Sequence, residues 1–164
     1  MTFTTTFTAG MAAGLFSALL LGPAAAMAQA PIECQGEPTN VKLRVLIDNV
    51  RDSRGEMTAT LYSDDPAKFL KARGQLSVWR TPAQAPRQEM CVWLPQPGSY
   101  AMAIYQDTNG NRRFDHGPFG PTEPYGFSRN PHLFFGPPSV GQVKFAAAEG
   151  ETVVNIHMRN PGGF

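Results

Sequence analysis

Val41, Leu43, Val45 and Ile47 stand at every second position, with Lys42, Arg44 and Asp48 on the alternate ones. A two-residue apolar period puts one face of an extended chain in a core and the other in water, so this stretch reads as a half-buried strand ending near Val50. The period returns along the chain. Met57, Ala59 and Leu61 give the inward face of a second strand after a turn at Asp52-Ser-Arg-Gly55, and the two together read as a hairpin. Leu76 to Trp79 and Gln88 to Leu94 follow, separated by the proline-rich Thr81 to Arg87. Pro97-Gly98 marks a turn in which glycine supplies positive φ, and beyond it Tyr100, Met102 and Ile104 alternate with Ala101, Ala103 and Tyr105. Val140 to Ala146 and Thr152 to Met158 close the pattern around a turn at Glu149-Gly150. One segment changes period: Asp65 can cap, Pro66 suits a first helical position and Gly74 a stop, so Ala67 to Arg73 is expected to be a short helix. Fifteen prolines and sixteen glycines, few of them inside the periodic segments, agree with a loop-rich β protein.

Met1 to Ala28 holds no charged side chain, and Met11 to Leu21 is almost wholly apolar or small. Ala26-Met27-Ala28 supplies the small-x-small pattern of a signal-peptidase site, so residues 1–28 read as an export signal and Gln29 as the first mature residue. The rival reading is an uncleaved anchor, since about 20 apolar residues span a bilayer. Against it, Gly22-Pro23 breaks a helix just before the cleavage pattern, and the remainder offers no further span. No cysteine follows the apolar run closely enough for a lipid anchor.

The mature chain has the length of one ordinary domain, here assigned to residues 41–159, with a segment 29–40 before it and a tail 160–164 after it. Fourteen basic and 13 acidic residues leave no electrostatic footprint for nucleic acid. In an oxidising compartment Cys34 and Cys91 are expected to form a disulfide, which ties segment 29–40 to a central strand; two buried thiols are the alternative.

Between Gln106 and Ser139 the period vanishes, although Phe114, Phe119, Tyr125, Phe127, Phe134 and Phe135 are far too many aromatics for a solvated linker. An ordered cap over the sandwich is expected, its aromatics packed inward or serving as a stacking platform for a ligand. The cap opens with Asp107-Thr-Asn-Gly-Asn-Arg-Arg-Phe-Asp115. Calcium takes six to eight oxygen ligands in flexible geometry, which alternate acidic and amide side chains supply from one segment. Asp107, Asn109, Asn111 and Asp115 are the expected side-chain ligands, Arg113 a backbone carbonyl ligand, and Glu123 a contributor from further along the cap. An EF-hand loop would want glycine at its sixth position and Glu at its twelfth, where this chain has Arg112 and Pro118. Two arginines beside few carboxylates make a weak field, so a dissociation constant of about 0.1 to 1 mM is expected. The alternative is a metal-free turn network, because Asn-Gly forms turns and Asp and Asn bond their own backbone.

Catalytic groups are sparse. His116 and His132 lie in the long segment and His157 on the last strand, without the ligand spacing of a zinc site. Ser128 lacks the Gly-x-Ser-x-Gly elbow that exposes a nucleophile. Asp115 and Glu123 are the one candidate carboxylate pair for hydrolysis.

The opening strands, the Pro-Gly-Ser-Tyr-Ala strand, Asp107-Thr-Asn-Gly-Asn with Phe114-Asp115, and Glu123-Pro-Tyr-Gly-Phe-Ser128 resemble, in that order, the bacterial family catalogued as domain of unknown function 2141. The resemblance runs from about Val41 to Arg159, and Arg129 stands where that family commonly has Asn. It implies a small, exported, all-β protein and no established activity. The chain is therefore expected to be an antiparallel β-sandwich, immunoglobulin-like or prealbumin-like, of about seven strands with one short helix and a long ordered loop. Its expected role is a periplasmic or extracellular binding or structural module of the cell envelope, meeting an envelope protein, peptide or glycan; a periplasmic hydrolase is the alternative.

Overall fold

The computed structural model describes residues 1, 2, 4, 32–134 and 136–161. The export signal expected over residues 1–28 falls, but for three residues, outside them, as do Phe135 and the last three residues of the tail. Among the described residues no helix is long and apolar enough to cross a membrane.

The elements in chain order are β1 (Val41–Asp48), β2 (Glu56–Ser63), β3 (Ser77–Pro82), β4 (Gln88–Trp93), β5 (Gly98–Asp107), β6 (His116–Gly117), β7 (Gly120–Pro121), β8 (Tyr125–Phe127), α1 (Val140–Val143), β9 (Phe145–Ala147) and β10 (Gly150–His157). They form an all-β sandwich. One sheet has the order β10-β1-β4; the other has β3-β2-β5-β8, with β9 pairing further along the same side of β5. Strands β6 and β7 make a separate two-stranded hairpin.

The apolar period of β1 is realised as read: Val41, Leu43, Val45 and Ile47 are buried. They meet Met90 and Val92 of β4, Val154 and Ile156 of β10, and Met57, Leu61, Met102 and Ile104 of the opposite sheet in one core. The outward face of the first sheet is polar and cross-linked, with Arg44 reaching Glu89 at 2.7 Å on one neighbour and Glu151 at 3.1 Å on the other. Both carboxylates hold the guanidinium above its already high ordinary pKa.

Four expectations are corrected. The opening strands are not a hairpin: β1 pairs with β4 and β10, β2 with β3 and β5, and the turn at residues 49–55 crosses from one sheet to the other. Strand pairing is not wholly antiparallel, because β1 and β10 run parallel, Val41 opposite Gly150 through Asp48 opposite His157. Residues 67–73 are turns rather than a helix. Asp65 does start a turn, its carbonyl accepting from Lys68 and Phe69 and its carboxylate from Ala67, but Leu70 and Arg73 adopt left-handed backbone and stop it. The helix lies instead at Val140–Val143, within the Val140–Ala146 stretch read as a strand, and only the end of that stretch pairs with a sheet, as part of Phe145–Ala147.

A second, smaller core explains both departures. Phe69, Tyr62, Ala101, Phe127, Val140 and Val143 cluster on the outer face of the larger sheet. Strands β2 and β5 are therefore covered on both faces, and the turns at 65–74 and helix α1 are the covers. Burying Phe69 edge-on to Tyr62, ring centroids 5.3 Å apart, outweighs continuing one turn of helix.

Candidate functional site

Strand β5 ends at Asp107, which turns its carboxylate into the loop that follows and is 0 % exposed. Its Oδ1 accepts the N–H of Gly110 at 2.7 Å and of Asn111 at 3.1 Å, and its Oδ2 the N–H of Arg112 at 2.6 Å. A buried charge is tolerated when fixed donors replace water, and three backbone N–H groups do so here. The loop closes around it in successive side-chain turns. Asn109 Oδ1 accepts from Asn111 N–H, and Asn111 Oδ1 from Arg113 N–H. Gly110 and Arg112 both take left-handed backbone, at φ 75° and 62°. The amides of Asn109 and Asn111 each donate to Asp115 Oδ2 at 2.8 Å.

Glu123 fastens the far end of the connection to this loop. It is 2 % exposed, its Oε1 accepting the N–H of Thr108 at 2.9 Å and its Oε2 that of Asp115 at 3.2 Å. Thr122 N–H returns to the Asp115 carbonyl, so hairpin β6–β7 is pinned at its base. All six residues read from the sequence as ligands, Asp107, Asn109, Asn111, Arg113, Asp115 and Glu123, thus belong to one hydrogen-bonded unit. Among the described residues no three His, Cys, Asp or Glu side chains converge as a metal centre of those donors alone. A cation here would have to draw on amide and carbonyl oxygens as well.

The long segment carries more order than its lack of period suggested, since β6, β7 and β8 all lie in it. Phe114 is half-buried between Tyr105, centroids 5.5 Å apart, and Tyr125 at 5.6 Å, and it meets His116 edge-on at 4.6 Å. Tyr125 continues to Phe127 and Phe127 to Phe69, so a row of aromatic rings joins the loop to the second core. Phe119, at the tip of hairpin β6–β7, and Phe134 stand exposed instead.

The other candidate groups sit apart. Ser128 is wholly buried, accepting from Met102 N–H and donating to the Val143 carbonyl, a strut between β5 and α1. His157 is exposed and meets Asp48 at 2.6 Å; His132 is exposed on the 131–134 segment. Two roles escaped the sequence reading. Gln106 Nε2 donates to the carbonyls of Asp52 and Arg54 and to Asp52 Oδ1, clamping the 49–55 turn beside the loop. Its register with Tyr100, Met102 and Ile104 on β5 was the available signal. Gly55 lies so close that a Cβ would come within 1.8 Å of the Asp107 carbonyl oxygen.

A family described as "Uncharacterized protein conserved in bacteria (DUF2141)" matches residues 45–155, from within β1 to within β10. The chain belongs to this family. The match bears out the resemblance carried by the Pro-Gly-Ser-Tyr-Ala and Asp107-Thr-Asn-Gly-Asn motifs, and DUF2141 brings with it no assigned activity. No curated protein and no solved structure matches the chain significantly. The DUF2141 stretch contains the whole Asp107–Glu123 unit and Cys91, whereas Cys34 lies before it.

Proposed function

We propose that this DUF2141 protein is an exported binding or structural module of the cell envelope whose 107–115 loop takes up a calcium-type cation weakly and thereby braces the aromatic row beside it. The supporting observation is the shape of the loop. Asp107, Asn109, Asn111, the Arg113 carbonyl and Asp115 occupy positions one, three, five, seven and nine, the order in which an EF-hand loop presents its first five ligands. Arg112, in the sixth place that glycine holds there, adopts the left-handed backbone that such a turn needs.

The donors fit a hard cation at modest cost. Turning over the Asn109 amide presents its oxygen to the ion and gives up its bond from Asn111 N–H, yet that N–H keeps Asp107 Oδ1. Turning over Asn111 frees the Arg113 N–H, which is exposed to water. Asp115, relieved of both amides, supplies the exchangeable carboxylate. Phe114 sits between two of these ligands, so fixing the loop fixes the ring that Tyr105 and Tyr125 pack against.

Thermal unfolding of the oxidised mature protein, first with EDTA and then with millimolar calcium, tests the reading. Calcium at ten times its dissociation constant adds about 1.4 kcal/mol, enough to raise the midpoint by roughly 3 to 6 °C. The rise is expected in the wild type and not in Asp115→Ala, which keeps the Asp107 scaffold. An unchanged midpoint in the wild type sinks the cation and leaves a self-satisfied turn network.

A further inference from the structure

We infer that the free edge of β10 is a strand-addition site for an extended peptide that alternates apolar and acidic side chains. Among the described residues strand β10 pairs with β1 on one side only. Gly150 N–H turns toward that side and donates to the Asn40 carbonyl, whereas Asn155 C=O and His157 N–H turn away from it. Alternation then directs the N–H and C=O of Glu151 and Val153, and the N–H of Asn155, outward as well. Among the described residues none of these groups has a backbone partner.

The edge is already read by an amide at its far end. Asn130 Nδ2 donates to Asn155 C=O at 3.1 Å and Asn130 Oδ1 accepts His157 N–H at 2.8 Å, the pair of bonds that a neighbouring strand would make. Two successive residues in left-handed backbone, Arg129 at φ 62° and Asn130 at φ 48°, hold that amide in place. The other long edges are blunted. Gln35 lies along β4, exchanging two backbone bonds with Cys91 and Trp93, and β3 carries Arg80 and Pro82. From Glu151 to His157, β10 has neither proline nor lysine, the residues that most often guard an open edge.

Beside the open stretch runs a groove of about 320 Å³ lined by Arg129, Asn130, Phe145, Val153, Val154 and Asn155. An added strand would place alternate side chains against Phe145 and Val154, which calls for apolar residues at that spacing. Charge selects the rest. Among the described residues the Arg129 guanidinium reaches the Lys144 carbonyl and has no carboxylate within ion-pair distance. Glu151 is not a competing repulsion, since its carboxylate is engaged by Arg44 and Lys42 on the sheet's outer face. Backbone bonds would supply the affinity, with the apolar contacts and Arg129 supplying the selection.

Fluorescence anisotropy with an array of extended decapeptides tests this on the mature protein. The array holds alternating valine–glutamate and valine–lysine sequences, plus the valine–glutamate peptide N-methylated at alternate residues. The valine–glutamate peptide is expected to bind, slowing amide exchange at Val153 and Asn155. N-methylation should weaken it by about tenfold or more, since it removes the donors that pair with the edge. Val153→Pro, which deletes one edge N–H, and Arg129→Glu should each have an effect of the same order, with thermal melts checking that both fold. The N-methylated peptide tests the pairing even if a variant does not fold. The assignment is overturned by an array with no binder, by binding indifferent to N-methylation, or by preference for the lysine peptide. Concentration-dependent self-association abolished by Val153→Pro would also overturn it, making a second copy the occupant.

Discussion

Around Asp107 the charge of one carboxylate is shared among three backbone N–H groups in a place water does not reach. Removing it leaves the N–H groups of Gly110 and Arg112 without their acceptor, while Asn111 N–H keeps Asn109 Oδ1, and each such loss costs about 1 kcal/mol or more. Asp107→Ala is therefore expected to destabilise the protein by about 2 kcal/mol in urea unfolding with EDTA present, whatever the loop binds. A loss under about 1 kcal/mol would mean that water replaces the carboxylate. Asp52, beneath the same end of the sandwich, makes a pH prediction. Its bonds from the Arg54 guanidinium and the Arg54 backbone N–H, with a smaller one from Gln106, lower its pKa from 3.8 to about 2. A carboxylate held below its unfolded value stabilises the fold above that value, and the contribution fades as pH falls through the folded one. Wild-type stability should thus fall more steeply than that of Asp52→Asn between about pH 4 and pH 2, read as the difference between two acid titrations of the unfolding midpoint. Parallel curves would show that the Arg54 contact is idle.

At the scale of elements, the two-residue period told which face of a strand is buried but not which strand lies beside it. Val41 to Ile47 was legible as a buried face, yet its partner β10 begins at Gly150, and nothing local in either segment encodes a parallel register across that distance. The same limit hid the second core. Asp65, Pro66 and Gly74 are sound helix punctuation, and the turn begins where they say; what ends it is Phe69 reaching Tyr62 and Phe127, a contact no local pattern reveals. The loop was more readable, because Asp107, Asn109 and Asn111 act on neighbours a few residues away. Glu123 was read as a ligand, and its role in pinning Thr108 and Asp115 emerged only in three dimensions. Gly126 makes the joint between elements testable: a Cβ there would meet Ile156 Cγ2 at 2.6 Å and the His157 carbonyl oxygen at 3.1 Å. Gly126→Ala should push β8 from β10 and cost about 1 to 3 kcal/mol in urea unfolding, whereas Gly141→Ala, whose Cβ meets only Ser139 Oγ at 3.9 Å, should not. Equal stability of the two variants would show that β8 yields freely.

For the whole molecule the question is how a three-stranded sheet, whose edge strands β10 and β4 each have one strand neighbour among the described residues, keeps its place over a larger one whose β2 and β5 are covered on both faces. The structure closes one of those edges covalently. Cys34 and Cys91 are joined, 57 residues apart in sequence, and Gln35 beside the bond pairs with Val92, which lays the N-terminal segment along β4. Val92 and Leu94 behind that edge are fully buried, so losing the segment would open the sandwich at that side. A cross-link of this span withdraws about 4 kcal/mol of loop entropy from the unfolded chain, more than the two backbone bonds of Gln35 contribute on their own, at about 1 kcal/mol each. The segment is thus expected to stay docked because it is tied rather than because it pairs. The Cys34→Ser, Cys91→Ser double variant should lose about 4 kcal/mol in urea unfolding, and the amides of Gln35 and Trp93 should exchange far faster than those of β1. If the oxidised protein and the double variant unfold at the same denaturant concentration, the β4 edge is held by its packing and the disulfide adds nothing to the fold.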